Sequence, residues 1–235
     1  MVEIYAIKKV PEKEFEKRKM GLLDFLPPES AESINTFKKP EDFQRSLLGE
    51  SLLRALLSIK TGKPAQTISI KRSAKGKPML KDNKSIHFNI SHSGDWVVVA
   101  VSGNEVGIDI EKIRPPHYRI AERYFSKHEL QTLNELQDEE KKNYFFDLWT
   151  LKESYLKLLG KGLTKSLGSF TIARTGSGFE LITNSEKDET IHFFQMALDP
   201  NYKLSVCSLS SEWNEKATLI TIDELINKMN DGKKR

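Results

Sequence analysis

Two spacings of apolar residues alternate along the chain. Apolar positions two apart are typical of strands, and apolar positions three and four apart are typical of amphipathic helices. The strand spacing predicts β-strands at residues 67–72, 85–90 and 96–102. The helix spacing predicts helices at 45–59 and 143–159, and glycine-containing runs predict turns at 74–78 and 93–95. The chain therefore combines both kinds of element.

The same order of segments occurs twice. The matching pairs are 4–8 with 108–112, 48–54 with 151–157, 86–88 with 191–193, and 96–102 with 202–208, at offsets of 104, 103, 105 and 106 residues. Ordered recurrence at a near-constant offset predicts an internal duplication. We expect an α+β fold of two similar halves related by a pseudo-twofold duplication, residues 1–105 and 106–215, with a C-terminal extension at 216–235. Ligand sites favour the cleft between such halves.

Composition limits the class of protein. The 235 residues are 38% hydrophobic and 30% charged, which is enough for one large core or two small ones. No apolar run approaches the roughly 20 residues of a membrane helix, and residues 1–11 lack the apolar stretch of a signal peptide. We therefore expect a cytoplasmic protein without a membrane partner. Cys207 is the single cysteine, so a disulfide framework or a cysteine metal site is not expected.

The charge is mildly basic. The chain has 37 basic and 33 acidic residues, a net charge of +4, and no dense Lys/Arg stripe with interleaved aromatic residues. This favours a solvated surface over nucleic-acid binding, and it leaves a small polyanion or an acidic protein as a partner. The basic tail at 228–235 contains Gly232 and is interpreted as lacking an apolar anchor, so we expect it to fray.

Several carboxylates are candidates for chemistry. Strand alternation places Asp109 and Glu111 on one face, with their backbones roughly 6.6 Å apart. Two such carboxylates suit Mg²⁺, and the alternative is the wet face of an edge strand. Glu129 follows Ser126 with the spacing of a helix capping box, which competes equally with a role as third carboxylate of the metal site.

One predicted helix carries Trp149, Glu153 and Lys157 at four-residue spacing, and therefore on one face. The alternative is an ordinary Glu–Lys pair worth about 0.2–0.5 kcal/mol. Lys152 points about 100° away from Glu153 around the helix and need not share its role. In the 93–95 turn region, Ser91 and His92 could form a phosphate cradle with backbone N–H groups, and the alternative is a solvent-exposed histidine.

Taken together, these motifs resemble the surfactin-synthetase-activating type of 4′-phosphopantetheinyl transferase. The resemblance spans residues 45–162 and has specific, correctly ordered motifs. They are RSLLG at 45–49, GKP at 76–78, FNISHSG at 88–94, GIDIE at 107–111, FSKHE at 125–129 and WTLKESYLK at 149–157. The family also has a pseudosymmetric fold of two halves, which agrees with the internal repeat.

The resemblance implies transfer of the 4′-phosphopantetheine arm of coenzyme A to a serine of an apo acyl, peptidyl or aryl carrier protein, with release of adenosine 3′,5′-bisphosphate. It implies that Mg²⁺ is held by Asp109, Glu111 and Glu129. Glu153 is then the candidate base, and Lys157 and Lys152 act on the leaving phosphate. The residues that it implies for coenzyme A binding are Arg45, Lys75, Gly76, Lys77, Pro78, Ser91 and His92.

Two further expectations follow from the comparison with this family pattern. Ser30 and Ser33 stand where relatives often carry lysines that reach the 3′-phosphate, and Lys38 or Lys39 could substitute for them. A second half within the same chain favours a monomer that completes its own site.

The alternative function is a non-catalytic module that binds coenzyme A or a nucleotide. Such a module would not need to keep all the charged residues of the predicted site, which are Asp109, Glu111, Glu129, Glu153 and Lys157.

Overall fold

The computed structural model of the protein describes residues 1–74, 76–160, 166–176 and 178–233. The first half contains β1 (Val2–Lys8), α1 (Glu12–Leu23), α2 (Pro28–Asn35), α3 (Pro40–Thr61), β2 (Ile70–Arg72), β3 (Pro78–Leu80), β4 (His87–Ser93) and β5 (Trp96–Ser102). The second half contains β6 (Val106–Lys112), α4 (Arg119–Tyr124), α5 (Lys127–Glu135), α6 (Asp138–Leu159), β7 (Thr171–Thr175), β8 (Gly178–Thr183), β9 (Glu186–Lys187), β10 (His192–Met196) and β11 (Tyr202–Ser208). The C-terminal elements are β12 (Thr218–Leu219) and α7 (Ile222–Lys233).

The two halves repeat one α+β design, as the sequence repeat predicts. Each half begins with a strand and has a helix of 22 residues, α3 or α6, which ends at a glycine with a left-handed backbone, Gly62 or Gly160. A 3-10 turn, a small sheet and an antiparallel hairpin follow. The second strand of each hairpin pairs with the first strand of its half, and the registers are equivalent: Val2 lies opposite Ser102, and Val106 lies opposite Ser208.

The two main sheets pack face to face. Their strand orders are β12-β1-β5-β4 and β10-β11-β6. Alternate residues on the facing sides form one buried cluster that includes Ile4 and Val98 from the first sheet and Ile108 and Val206 from the second. The outer sides carry the helices α3 and α6. This layering explains the unbroken apolar run of β5, because both of its faces are covered.

Gly107 allows β6 and α6 to approach at backbone distance. A Cβ atom on Gly107 would lie 2.0 Å from the carbonyl oxygen of Ser154 and 2.4 Å from the amide nitrogen of Leu158. Any side chain there would force the strand and the helix apart. The close crossing brings the outer face of β6, which carries Asp109 and Glu111, directly beneath α6.

The halves also join edge to edge along a polar seam between β4 and β6. Three side chains of β4 accept hydrogen bonds from backbone N–H groups of β6. The bonds run from Ile108 to Asn89 Oδ1 (2.9 Å), from Ile110 to Ser91 Oγ (3.3 Å) and from Lys112 to Ser93 Oγ (3.1 Å). Both sets of residues are two apart, as expected for neighbouring strands. The seam forms one wall of the cleft.

The C-terminal segment returns to the first half. There β12 pairs in parallel with β1, and α7 contributes Ile222, Leu225 and Met229 to the first core. The prediction that the tail from residue 228 lacks an apolar anchor was wrong, because Met229 is only 2% exposed and α7 continues to Lys233. Among the described helices, none is long and apolar enough to cross a membrane.

Candidate active site

An open cavity of about 410 Å³ lies where β4, β6 and α6 meet. Its lining contains six residues predicted from the sequence, namely Ser91, His92, Asp109, Glu111, Glu153 and Lys157. Tyr124 and Trp149 form an aromatic side of the same cavity and contact each other edge to face, with ring centroids 6.1 Å apart. The two halves of the chain therefore contribute to one polar cleft.

Asp109 is the most deeply buried acid of the cleft, at 4% exposure. Its Oδ1 atom accepts hydrogen bonds from Ser91 Oγ (3.0 Å) and from Lys157 Nζ (2.6 Å). Its Oδ2 atom is buried and has no hydrogen-bond partner among the described residues. Burial raises the pKa of Asp109, and the adjacent Lys157 opposes that shift. An unpartnered buried carboxylate oxygen is costly, so this atom is suited to accept a cation or a donor from a ligand.

Glu111 and Glu153 complete a set of three carboxylates. Burial raises the pKa of both groups, and the negative charge of Asp109 raises it further. Ser93 Oγ donates a hydrogen bond of 2.8 Å to Glu111 Oε2, which opposes the shift at Glu111. Lys157 is close enough to stabilise all three carboxylates. Negative charge concentrated in this way favours binding of a cation.

His92 and Arg45 form a second corner of the cleft, at the end of β4. Burial lowers the pKa of His92, and the positive charge of Arg45 lowers it further. Arg45 Nη1 donates to the carbonyl oxygen of Gly94 (3.0 Å), and its Nη2 pairs with Asp42. Its Nε is buried without a partner in the described parts of the chain. The predicted phosphate contacts His92 and Arg45 are therefore neighbours.

The structure contradicts the assignment of Glu129 to the metal site. Glu129 is fully buried inside the second half, where it forms the capping box of α5 with Ser126. Its Oε1 accepts a hydrogen bond from the backbone N–H of Ile172 (2.7 Å), and its Oε2 lies 2.8 Å from Lys152 Nζ. Both carboxylate oxygens are already in use. The third carboxylate of the cleft is Glu153 instead.

The catalytic assignment of Lys152 is likewise wrong. Lys152 is 0% exposed, and besides Glu129 its ammonium contacts the carbonyl oxygens of Leu167 (2.8 Å) and Phe170 (2.9 Å). It lies on a side of α6 different from that of Glu153 and Lys157, as the helical rotation of about 100° per residue predicts. Its role is to hold the segment around residues 167–170 against α6.

The GKP motif lies beside a larger cavity. Lys77 and Pro78 line this space of about 590 Å³, which is mostly apolar and lies between the halves. Lys77 Nζ is bound to Glu105 (2.6 Å) and to the carbonyl oxygens of Val106 and Leu158, so it links the halves. Gly76 has a left-handed backbone, with a φ of 87°. Lys75 lies outside the described residues.

Sequence reasoning missed two residues of the site. Tyr124 lines the cleft at the end of α4, and its only sequence signal was its place just before the FSKHE motif. Ser93 donates a hydrogen bond to Glu111, and its sequence signal was its position two residues after Ser91 in a strand.

Ser30, which stands where relatives often carry a lysine for the 3′-phosphate, belongs to a structural network. Its hydroxyl donates to Glu50 and accepts from Arg54.

The class of protein follows from this fold and site. A duplicated α+β chain, with three carboxylates facing a lysine at the junction of its halves, has the groups that an enzyme needs to act on a phosphorylated ligand. A family model described as 4′-phosphopantetheinyl transferase superfamily matches residues 105–207. A second model, described as 4′-phosphopantetheinyl transferase, N-terminal, matches residues 14–104.

Similar proteins cover nearly the whole chain. The 4′-phosphopantetheinyl transferase psf-1 of Bacillus pumilus is 35% identical over 98% of this chain and 100% of its own. The 4′-phosphopantetheinyl transferase Sfp of Bacillus subtilis strain 168 is 36% identical over 87% of this chain and 91% of its own. A solved holo-(acyl-carrier-protein) synthase of Bacillus anthracis is 21% identical, with a TM-score of 0.39, over 46% of this chain and 96% of its own. The chain belongs to the 4′-phosphopantetheinyl transferase family.

Proposed function

We propose that the protein transfers 4′-phosphopantetheine from coenzyme A to a serine of an apo acyl, peptidyl or aryl carrier protein. The observation that carries this proposal is the buried Oδ2 of Asp109, which has no partner among the described residues and lies beside two further carboxylates and Lys157. A cleft that only bound a nucleotide would not need three carboxylates next to its phosphate site. The family membership of the whole chain supports the same reaction.

Mg²⁺ fits the donor set of this cleft. Magnesium prefers oxygen ligands and is usually held by one or two carboxylates, with water and substrate phosphates at the other positions. Asp109 and Glu111 would hold it, and Glu153 would complete the acidic side. Within the described residues, no three His, Cys, Asp or Glu side chains are grouped closely enough to hold a metal ion by themselves. When bound, the ion would neutralise charge on the phosphates.

Residues on both sides of the carboxylates would hold coenzyme A. Arg45 and His92 offer donors at one corner, and the Nε of Arg45, which has no partner in the part of the chain that the structure describes, is suited to a phosphate oxygen. Lys157 offers an ammonium between Asp109 and the open cleft. The backbone around the GKP motif would hold the nucleotide beside the larger cavity. The Ser91 hydroxyl already donates to Asp109 and accepts from Lys157 and from the N–H of Ile110. It could donate to a phosphate only by sharing its single proton between the phosphate and Asp109.

The transfer requires one proton acceptor and one group that stabilises the leaving phosphate. The carrier serine loses its proton as its oxygen bonds the phosphorus attached to pantetheine, and the bond from that phosphorus to adenosine 3′,5′-bisphosphate breaks. Glu153 can accept the proton, since a carboxylate with a raised pKa is a better base. Lys157 can stabilise the charge that develops on the leaving group. The alternative role for Glu153 is to ligate the metal.

The carrier would approach on the second half, at residues 115–124. Tyr118 lies there in edge-to-face contact with Phe145, and Arg119 and Arg123 are exposed on α4. Basic residues beside the cleft would attract an acidic carrier, and salt would weaken that attraction. We place the protein in the cytoplasm, as a monomer.

Mass spectrometry of an apo carrier tests the proposed function. The purified chain is mixed with carrier, coenzyme A and Mg²⁺, and the expected result is a carrier heavier by one phosphopantetheine. Omission of Mg²⁺ should abolish the product. A chain whose melting temperature rises with coenzyme A and Mg²⁺, but which never modifies any apo carrier of the three kinds, is a binding module instead.

A further inference from the structure

Building on the proposed function, we propose that Ser93 is a positioning residue: it holds Glu111 in the orientation that binds Mg²⁺ and at the same time ties the two halves together. The serine hydroxyl donates to Glu111 Oε2 (2.8 Å) and accepts from the backbone N–H of Lys112 (3.1 Å). The O–H group thus orients the carboxylate of Glu111, and the oxygen lone pair holds the backbone of β6. Within the described parts of the chain, no other side chain donates a hydrogen bond to Glu111.

A hydroxyl is the smallest side-chain group that can make both bonds. It has one O–H donor and two lone pairs, so it can serve a carboxylate and an N–H at once. Asn89 lies four residues earlier on the same face, and among the described residues its side chain makes only the bond to the backbone N–H of Ile108. Ser91 makes both bonds but also accepts a hydrogen bond from Lys157. Ser93 is therefore the position at which the orienting bond can be removed with least effect on other charged groups.

In the second half, β10 is the strand equivalent to β4, and it shows that a strand at this place in the fold does not need polar residues. The registers of the two hairpins make Asn89 equivalent to Phe194, and Ser91 equivalent to Met196. Both of those residues on β10 are buried in the apolar cluster between the sheets. A polar ladder is present only on the strand that faces the carboxylates. The bond to the β6 backbone explains the polarity of Asn89, and the bonds to Asp109 and Glu111 give Ser91 and Ser93 a second reason to be polar.

The decisive measurement is the affinity of the coenzyme A-loaded protein for Mg²⁺, by isothermal titration of the metal. Residues that orient metal ligands typically change metal affinity by about 10–100-fold when they are removed. We expect Ser93→Ala to raise the dissociation constant for Mg²⁺ about tenfold, while the turnover number at saturating Mg²⁺ stays within about twofold. Ser93→Thr, which keeps the hydroxyl on a strand, should restore the parental affinity.

Asn89→Ala is the matched control, because it removes a seam bond that touches no carboxylate. We expect a lower melting temperature and an unchanged dissociation constant for Mg²⁺. The inference is overturned if Ser93→Ala keeps parental Mg²⁺ affinity, if Asn89→Ala weakens it equally, or if Ser93→Thr behaves like Ser93→Ala at an equal melting temperature. Should Asn89→Ala fail to fold, the alanine and threonine variants of Ser93 decide alone.

The parental protein separates this inference from the proposed function. If the parental chain neither binds Mg²⁺ with coenzyme A nor modifies a carrier, the proposed function fails before Ser93 is tested. If the parental chain does both and Ser93→Ala is indistinguishable from it, the reaction stands and the positioning role is lost.

Discussion

The helices α3 and α6 occupy equivalent places in the two halves but use the same residue pattern differently. Each carries an acid and a base four residues apart, Glu50 with Arg54 and Glu153 with Lys157. In α3 the pair is closed, with Arg54 Nε 2.7 Å from Glu50 Oε1. In α6 the lysine instead contacts Asp109, and Glu153 lines the open cleft.

The difference has a structural cause next to the pair. Arg54 also donates to the carbonyl oxygens of Ala65, the first residue of the 3-10 turn of the first half, and of Ile68, the residue after that turn. In the second half the corresponding carbonyl contacts, beside the turn Leu167–Ser169, are made by Lys152, whose charge is balanced by Glu129. A separate buried ion pair, Lys152 with Glu129, thus holds the turn in the second half. Glu153 and Lys157 of α6 therefore do not make the contacts with the turn that Arg54 makes in α3.

The largest effect should come from the carboxylates of β6. Asp109→Ala and Glu111→Ala should each lower turnover about 10³-fold or more, because they remove oxygen ligands and charge where the phosphate is held, and both should keep a folded chain. Steady-state rates with coenzyme A and carrier measure this. Tyr5, which is equivalent to Asp109 in the strand register, provides the control. Tyr5→Phe should turn over at the parental rate, and parental activity of either carboxylate variant at limiting Mg²⁺ would remove that residue from the metal site.

Next in size is the pair on α6, compared with its partner pair on α3. Glu153→Gln should lower the rate about 10²-fold or more and keep coenzyme A binding, because it preserves shape but removes the base. Lys157→Met should weaken both rate and binding, since the ground-state phosphates are already anionic. Glu50→Gln is the matched variant in the first half, and its rate per folded molecule should be parental.

The same variant separates the two roles open to Glu153. If it is the base, Glu153→Gln keeps the parental affinity for Mg²⁺ and loses rate. If it is a ligand, the affinity for Mg²⁺ falls with the rate. Near-parental turnover at saturating Mg²⁺ would leave Glu153 without either role, and the two helices would then not differ in the way described.

The residues around Glu153 and Lys157 show which features of the fold and of the site could be predicted from the sequence. The repeat and its apolar spacing predicted two α+β halves, and the strand predicted at 96–102 is β5 itself. The Ser-x-x-Glu spacing at Glu129 was compatible with a capping box and with a metal ligand, and only burial distinguishes them. The direction of Lys152 followed from helix geometry, but its partners come from distant segments. Contacts across the halves, such as Ser93 with Glu111, have no local pattern.

The structural pairs should affect stability rather than rate. Lys152→Met leaves the fully buried carboxylate of Glu129 without its ion-pair partner, which typically costs about 3–5 kcal/mol. Arg54→Met should cost less, because Glu50 is 23% exposed and keeps its hydrogen bond from Ser30. Denaturant unfolding should report both losses, and activity per folded molecule should change little. A Lys152→Met protein of parental stability with a large loss of rate would return Lys152 to the catalytic groups and would contradict the functional division between Lys152 and Lys157.

The smallest effect is expected at the corner formed by Arg45 and His92, where the first half contributes to the site. A lost cation or donor matters only if the ligand carries the phosphate that it binds. Arg45→Ala and His92→Ala should therefore weaken coenzyme A by about 1.5–3 kcal/mol per hydrogen bond to a charged group, and 3′-dephospho-coenzyme A by much less. Competition titrations with the two ligands measure the difference. Lys39→Ala serves as a control for a nearby exposed cation at the start of α3. Equal losses for both ligands would show that neither residue binds the 3′-phosphate, and a loss only in Lys39→Ala would shift that contact to the start of α3.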